Sequence, residues 1–151
     1  MHISPHFTLS ELTRSQTAMR RGLDNQPSPA ALLALHDLAR HILDPIRLHF
    51  GPFSPSSCYR SAALNRAIGS TARSQHVMGE AADIKIAAIS NRALLDFIAA
   101  ELPFDQLILE FLKADDPHHG WLHVSYRREQ QRGEILTAQR SKGRVHYAAL
   151  M

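Results

Sequence analysis

Residues 120–126 read Gly-Trp-Leu-His-Val-Ser-Tyr. Side chains alternate along an extended chain, so Leu122 and Val124 fall on one side, and Trp121, His123 and Ser125 on the other. One face is apolar and the other carries an imidazole. Residues 106–111, "QLILEF", repeat the pattern, with Leu107, Leu109 and Phe111 set against Gln106, Ile108 and Glu110. In "ADIKI", 82–86, Ile84 and Ile86 oppose Asp83 and Lys85. These stretches predict three strands with one apolar face each. If those faces share a core, Asp83, Glu110 and His123 emerge together on the opposite side of the sheet.

Upstream of the strands the signals are helical. Thr8 and Glu11 form a capping box with Phe7 and Leu12 as hydrophobic staple, predicting a helix from about Leu9 to Gly22. Ser28 caps a second helix with Pro29 at its first position, and Leu32, Leu35, Leu38, Ile42 and Ile46 line one face of it. Pro45 is expected to kink or interrupt this helix, and Gly51-Pro52 to close it. Ser61 starts a short helix ending near Gly69, and Ser90 caps another that stops before Pro103. At the C-terminal end, 133–139 and 144–150 suggest a hairpin turning at 141–143. With helices mainly in the N-terminal half and strands late, the expectation is α+β: a single domain over 1–151 with an antiparallel sheet.

Composition bounds the function. The chain has 151 residues, 44% of them hydrophobic, which suits one domain with a real core and excludes a disordered chain. Seventeen Lys and Arg against 14 Asp and Glu give a charge of +3, too little to argue for nucleic acid. The basic runs at 127–132 and 139–144 read first as a solvated hairpin, with a polyanionic partner such as a cell wall as the minority reading. One cysteine, Cys58, excludes an internal disulfide framework and is expected to be a small buried residue. No apolar run is long enough to span a membrane. The N-terminus carries no secretory signal pattern, so a chain made in the cytoplasm is expected. His2, His6, His36, His41 and His49 sit in ordinary contexts; His76, His118, His119 and His123 do not.

His76 belongs to "SQHVMGEAAD", 74–83, where small residues separate an imidazole from Asp83 at the mouth of a strand. Two imidazoles and a carboxylate with a fourth position open to water are the donor set of a catalytic zinc site. Zinc there brings the pKa of water toward about 7 and polarises a carbonyl. A nearby carboxylate that is not a ligand can then move the proton. The competing reading of the same residues is two solvated strand carboxylates and a satisfied histidine.

The pattern Ser74, His76, Gly79, Ala81, Asp83, followed much later by Trp121 and His123, resembles the zinc peptidase family of D-alanyl-D-alanine carboxypeptidases and D-Ala-D-Ala dipeptidases. Its superfamily includes lysostaphin-type enzymes and the hedgehog signalling domain. "YRSAALNRAIG", 59–69, is similar to the family's Tyr-Arg-Ser segment, and "FTLSELTRSQTAMRRGLDNQP" and "LPFDQLILE" resemble a short phage and prophage branch. The likeness runs from about Phe7 to Tyr126. It implies a hedgehog-like peptidase fold, Zn2+ as cofactor, and His76, Asp83 and His123 as its ligands. It also implies that Arg60 reaches the substrate, for which a planar fork matched to carboxylates is suited. Ser74 either binds substrate or shapes the loop, and Trp121 is a wall of the site or part of the packing around it.

One position departs. Many relatives carry a catalytic carboxylate three residues before the last histidine, where this chain has Gly120. The face argument makes Glu110 the replacement as general base, with Asp115, Asp116, His118 and His119 in reserve. The expected function is zinc-dependent hydrolysis of amides next to D-amino acids in peptidoglycan stem peptides. The alternative is a non-catalytic cell-wall-binding or virion module that keeps the fold. The expected partner is a peptidoglycan peptide, with a monomeric chain, no nucleic acid and no membrane insertion. The expected setting is the cell wall, reached after phage-type release or in a virion.

Overall fold

In the computed structural model, which describes residues 1–150, the helix starts lie where capping side chains put them. Thr8 and Glu11 close their capping box at the head of α1 (Leu9–Leu12). Ser28 caps α3 (Pro29–Leu38), Ser61 caps α5 (Ala62–Ala67) and Ser90 caps α6 (Asn91–Glu101). The predicted first helix is split. Thr13 turns its hydroxyl back onto the Leu9 carbonyl, and Ser15 caps a separate α2 (Gln16–Arg21) that ends on left-handed Gly22. Two local caps win over one continuous helix because Ser and Thr compete for backbone groups.

The second helix runs on through the proline by changing pitch. Residues Ala39–Leu43 form a π turn, and α4 (Asp44–Phe50) follows with Pro45 in its first turn. The wider turn absorbs the donor that Pro45 lacks. Leu35, Leu38, Ile42, Leu43 and Ile46 on this composite helix are fully buried, each worth about 1.5–3 kcal/mol.

The strands β1 (Ala81–Ile84), β2 (Gln106–Glu110), β3 (Trp121–Ser125), β4 (Glu134–Ser141) and β5 (Arg144–Ala149) form one sheet in the order β1-β3-β2-β4-β5. The α+β class holds, but the sheet is mixed: β4 pairs parallel with β2, and every other pairing is antiparallel. Both edges of β3 are already taken by β1 and β2, so the chain crosses over β2 to its free edge. Arg132 ties that crossover down, with its backbone N–H and guanidinium on the fully buried Asp105 at 2.8 and 2.7 Å. Burial pushes the Asp105 carboxyl up, but Arg132 outweighs it and holds the group below the usual range.

Ile84, Leu107, Leu109, Leu122 and Val124 turn to the helices and join the core. Phe111 does not, although alternation places it there. Its φ of 59° ends the strand, and its ring packs against Trp121 at 5.2 Å. The hairpin turn is Lys142-Gly143, both at positive φ as a tight two-residue turn requires. No helix among the described residues is long and apolar enough to cross a membrane.

Candidate metal centre and cleft

β1 and β3 align Asp83 directly with His123, and β2 brings Ile108 opposite His123 and Glu110 opposite Trp121. In-register neighbours share a face. Asp83, His123 and Glu110 therefore stand on the side of the sheet away from the core, as alternation predicts. His76 arrives from the turn before β1. Ser74 Oγ accepts from the His76 N–H at 3.3 Å and shapes that turn. Gly79 lets it close: at φ +77°, an added Cβ would lie 2.4 Å from the Ala31 carbonyl oxygen of α3. This is the physical reason for glycine within the motif.

One donor atom each from His76, Asp83 and His123 lies within 4.8 Å of the others, and all three residues are buried. His76 Nδ1 donates to the Cys58 carbonyl at 2.6 Å, so Nε2 carries the lone pair and stands 3.3 Å from Asp83 Oδ1. His123 presents Nδ1 at 3.1 Å from the same oxygen. Two imidazole nitrogens and one carboxylate, with one ring held by a carbonyl on its far nitrogen, fit zinc in donor type and outer support. Burial pushes the Asp83 carboxyl up, yet the two histidines more than offset this and hold it well below the ordinary range.

Glu110 Oε1 lies 4.0 Å from His123 Nδ1. Burial first, then the charge of Asp83, push its carboxyl up to about 7 against the pull of His123 and Arg60. Gly120 carries no carboxylate because its position cannot. At φ +76°, an added Cβ would sit 1.8 Å from the Glu110 carbonyl oxygen. Arg60 donates from Nε to Ser57 Oγ and from Nη1 to Asn65 Oδ1, both at 3.2 Å, while Nη2 stands 3.6 Å from Asp83 Oδ2. The guanidinium has five N–H donors, so some stay free toward the cleft.

These groups line a cleft of about 570 Å³, which also takes in Ser74, Arg73, Arg132, Trp121, Leu136 and Tyr147. The Trp121 Nε1 donor is buried there beside the Glu110 carboxyl, whose charged form it favours, but makes no well-formed hydrogen bond among the described residues. Asp115, Asp116, His118 and His119 do not line the cleft. Their loop is braced instead, with His119 Nδ1 on the Phe111 carbonyl and Asn91 on the His119 carbonyl. Cys58 is buried as expected; its carbonyl, not its thiol, serves the site, and burial pushes the thiol up. Sequence reasoning missed this carbonyl, the Arg132–Asp105 tie and Tyr147. A backbone acceptor leaves no residue-type signal, and the other two come from strand order.

The family described as Peptidase M15 matches residues 5–125 of the chain. A search of curated proteins finds no match.

Proposed function

The chain belongs to the peptidase M15 family, a family of zinc enzymes, and from that premise we propose that this metallopeptidase hydrolyses amide bonds next to D-amino acids in peptidoglycan stem peptides. The observation that carries the reading is the convergence of His76, Asp83 and His123, with Glu110 4.0 Å from His123 at the wall of one cleft. His76 Nε2, an Asp83 oxygen and His123 Nδ1 would hold the zinc. Bound there, the metal would supply Lewis-acid activation of water and of the scissile carbonyl.

The protein's own groups do the rest. Glu110 accepts the proton of the attacking water and returns it to the leaving amine. Arg60 holds a carboxylate or backbone carbonyl of the substrate through its free donors. Arg73 adds positive charge to the same cleft, which suits the carboxylates of stem peptides. Ser74 holds the His76 turn, so its part is to keep the loop in shape. The non-catalytic alternative rests on Gly120, and the closeness of Glu110 to His123 favours the enzyme by offering another carboxylate.

The experiment is cleavage of a stem pentapeptide ending in D-Ala-D-Ala, and of a cross-linked muropeptide, followed by mass spectrometry with and without chelator. Chelator-sensitive release of D-Ala or of cleaved stem is expected. Cleavage of ordinary L-peptides alone would overturn the substrate reading and leave a metallopeptidase of different specificity.

A further inference from the structure

The C-terminal hairpin lies beyond the residues that the family match covers, yet it walls one side of the cleft. Its register explains how. Ala138 of β4 stands opposite Glu110 of β2 on one side and opposite Tyr147 of β5 on the other. Trp121, Glu110, Ala138 and Tyr147 thus form one row across four strands, next to the row that holds Asp83 and His123. Strands lie roughly 4.8 Å apart, so the Tyr147 backbone is about 10 Å from that of Glu110. A phenol covers much of that span, and the only side chain between is the methyl of Ala138, fully buried. Tyr147 is 59% exposed and lines the cleft together with Glu110 and Leu136. A large aromatic on the edge strand is left free to lean over a small residue toward the reacting groups.

We propose that Tyr147 is a substrate-binding residue of the cleft, donating its phenol hydroxyl to a carbonyl of the bound peptide on the Glu110 side. The proposal rests on the peptidase reading given above. Partial burial, then the charge of Glu110, push the phenol above its ordinary range, so the hydroxyl stays a donor at neutral pH. His146, one residue earlier, faces Gln139 on the other side of the sheet and is the natural control. A tyrosine in this place tests the peptide by length and by carbonyl position, which makes the hairpin a determinant of specificity.

The test measures kcat, KM, zinc content and thermal midpoint for the zinc-loaded wild type, Tyr147→Phe, Tyr147→Ala and His146→Ala on a stem pentapeptide. Tyr147→Phe keeps the ring and loses the donor. It should raise KM by roughly three- to tenfold, the scale of one neutral hydrogen bond, with kcat within about twofold. Tyr147→Ala should raise KM further. His146→Ala should match the wild type, and zinc content and thermal midpoint should hold throughout. If Tyr147→Ala unfolds, Tyr147→Phe decides alone. Tyr147→Phe with wild-type KM overturns the role, as does an equal loss in His146→Ala. A wild type that cleaves no stem peptide overturns the substrate reading and this proposal with it; wild-type cleavage with an unaffected Tyr147→Phe overturns Tyr147 alone.

Discussion

The three inner strands and the outer hairpin belong to one sheet but are built differently. Every residue of β1, β2 and β3 is buried except Gln106, Glu110 and Trp121, whereas in β4 and β5 only Ala138 is. Charge and imidazole are placed in the inner part, where water cannot compensate a lost partner. The hairpin carries polar and basic groups in solvent, where changes cost little. The difference teaches where to look for which effect: all-or-none losses in the inner strands, graded losses at the hairpin.

Removing a ligand should break this contrast most sharply. His76→Ala or His123→Ala should abolish stoichiometric zinc binding and peptidase activity, while His36→Ala and His41→Ala keep both; metal analysis after purification without added zinc reads it. Stoichiometric zinc in either ligand variant would refute the three-donor site.

Next in size is Glu110→Gln, which keeps shape and removes the basic carboxylate. Turnover should fall by roughly 10²-fold or more with zinc retained. Loss of zinc instead would make Glu110 a ligand.

Gly120→Asp places a carboxylate where the family resemblance leads one to expect it. Here it must force a side chain against the Glu110 carbonyl at positive φ, and should cost about 2 kcal/mol in denaturant unfolding without raising activity. Arg60→Lys keeps the charge but loses the fork, and should lower kcat/KM by about tenfold. Wild-type kinetics there would remove Arg60 from substrate recognition.

The remaining effect is on pH dependence. In metal-free protein the folded Glu110 carboxyl holds its proton up to about 7, against an ordinary value of 4.5. A raised folded pKa means the folded state binds more protons. Stability is therefore fully present below about 4.5 and is lost as pH rises through about 7. Chemical denaturation at pH 5 and 8 should show this loss, and Glu110→Gln should reduce it.

What the sequence made legible follows the periods of its elements. Alternation in 82–86, 106–110 and 121–125 placed Asp83, Glu110 and His123 on one face because those strands have one buried side to enforce it. Capping residues announced four of the helix starts. Alternation failed at Phe111, where left-handed backbone turns the ring toward Trp121. It also says nothing of which strand lies beside which, so the parallel pairing of β4 and the arrival of Tyr147 at the cleft could not be read from it. The break at Thr13–Ser15 was missed because a strong first cap hid a second.

The register Asp83–His123–Ile108 also fixes where the chain can change length. One residue gained or lost inside β3 would exchange its faces, sending His123 into the core and Leu122 or Val124 into the cleft. The same slip in β1 would bury Asp83 among the helices. The exposed crossover around 127–130 and the Lys142-Gly143 tip carry no such register. Insertion scanning should therefore give a map that is silent through 81–84, 106–110 and 121–125 and permissive at those two places, and natural length variation should gather there too.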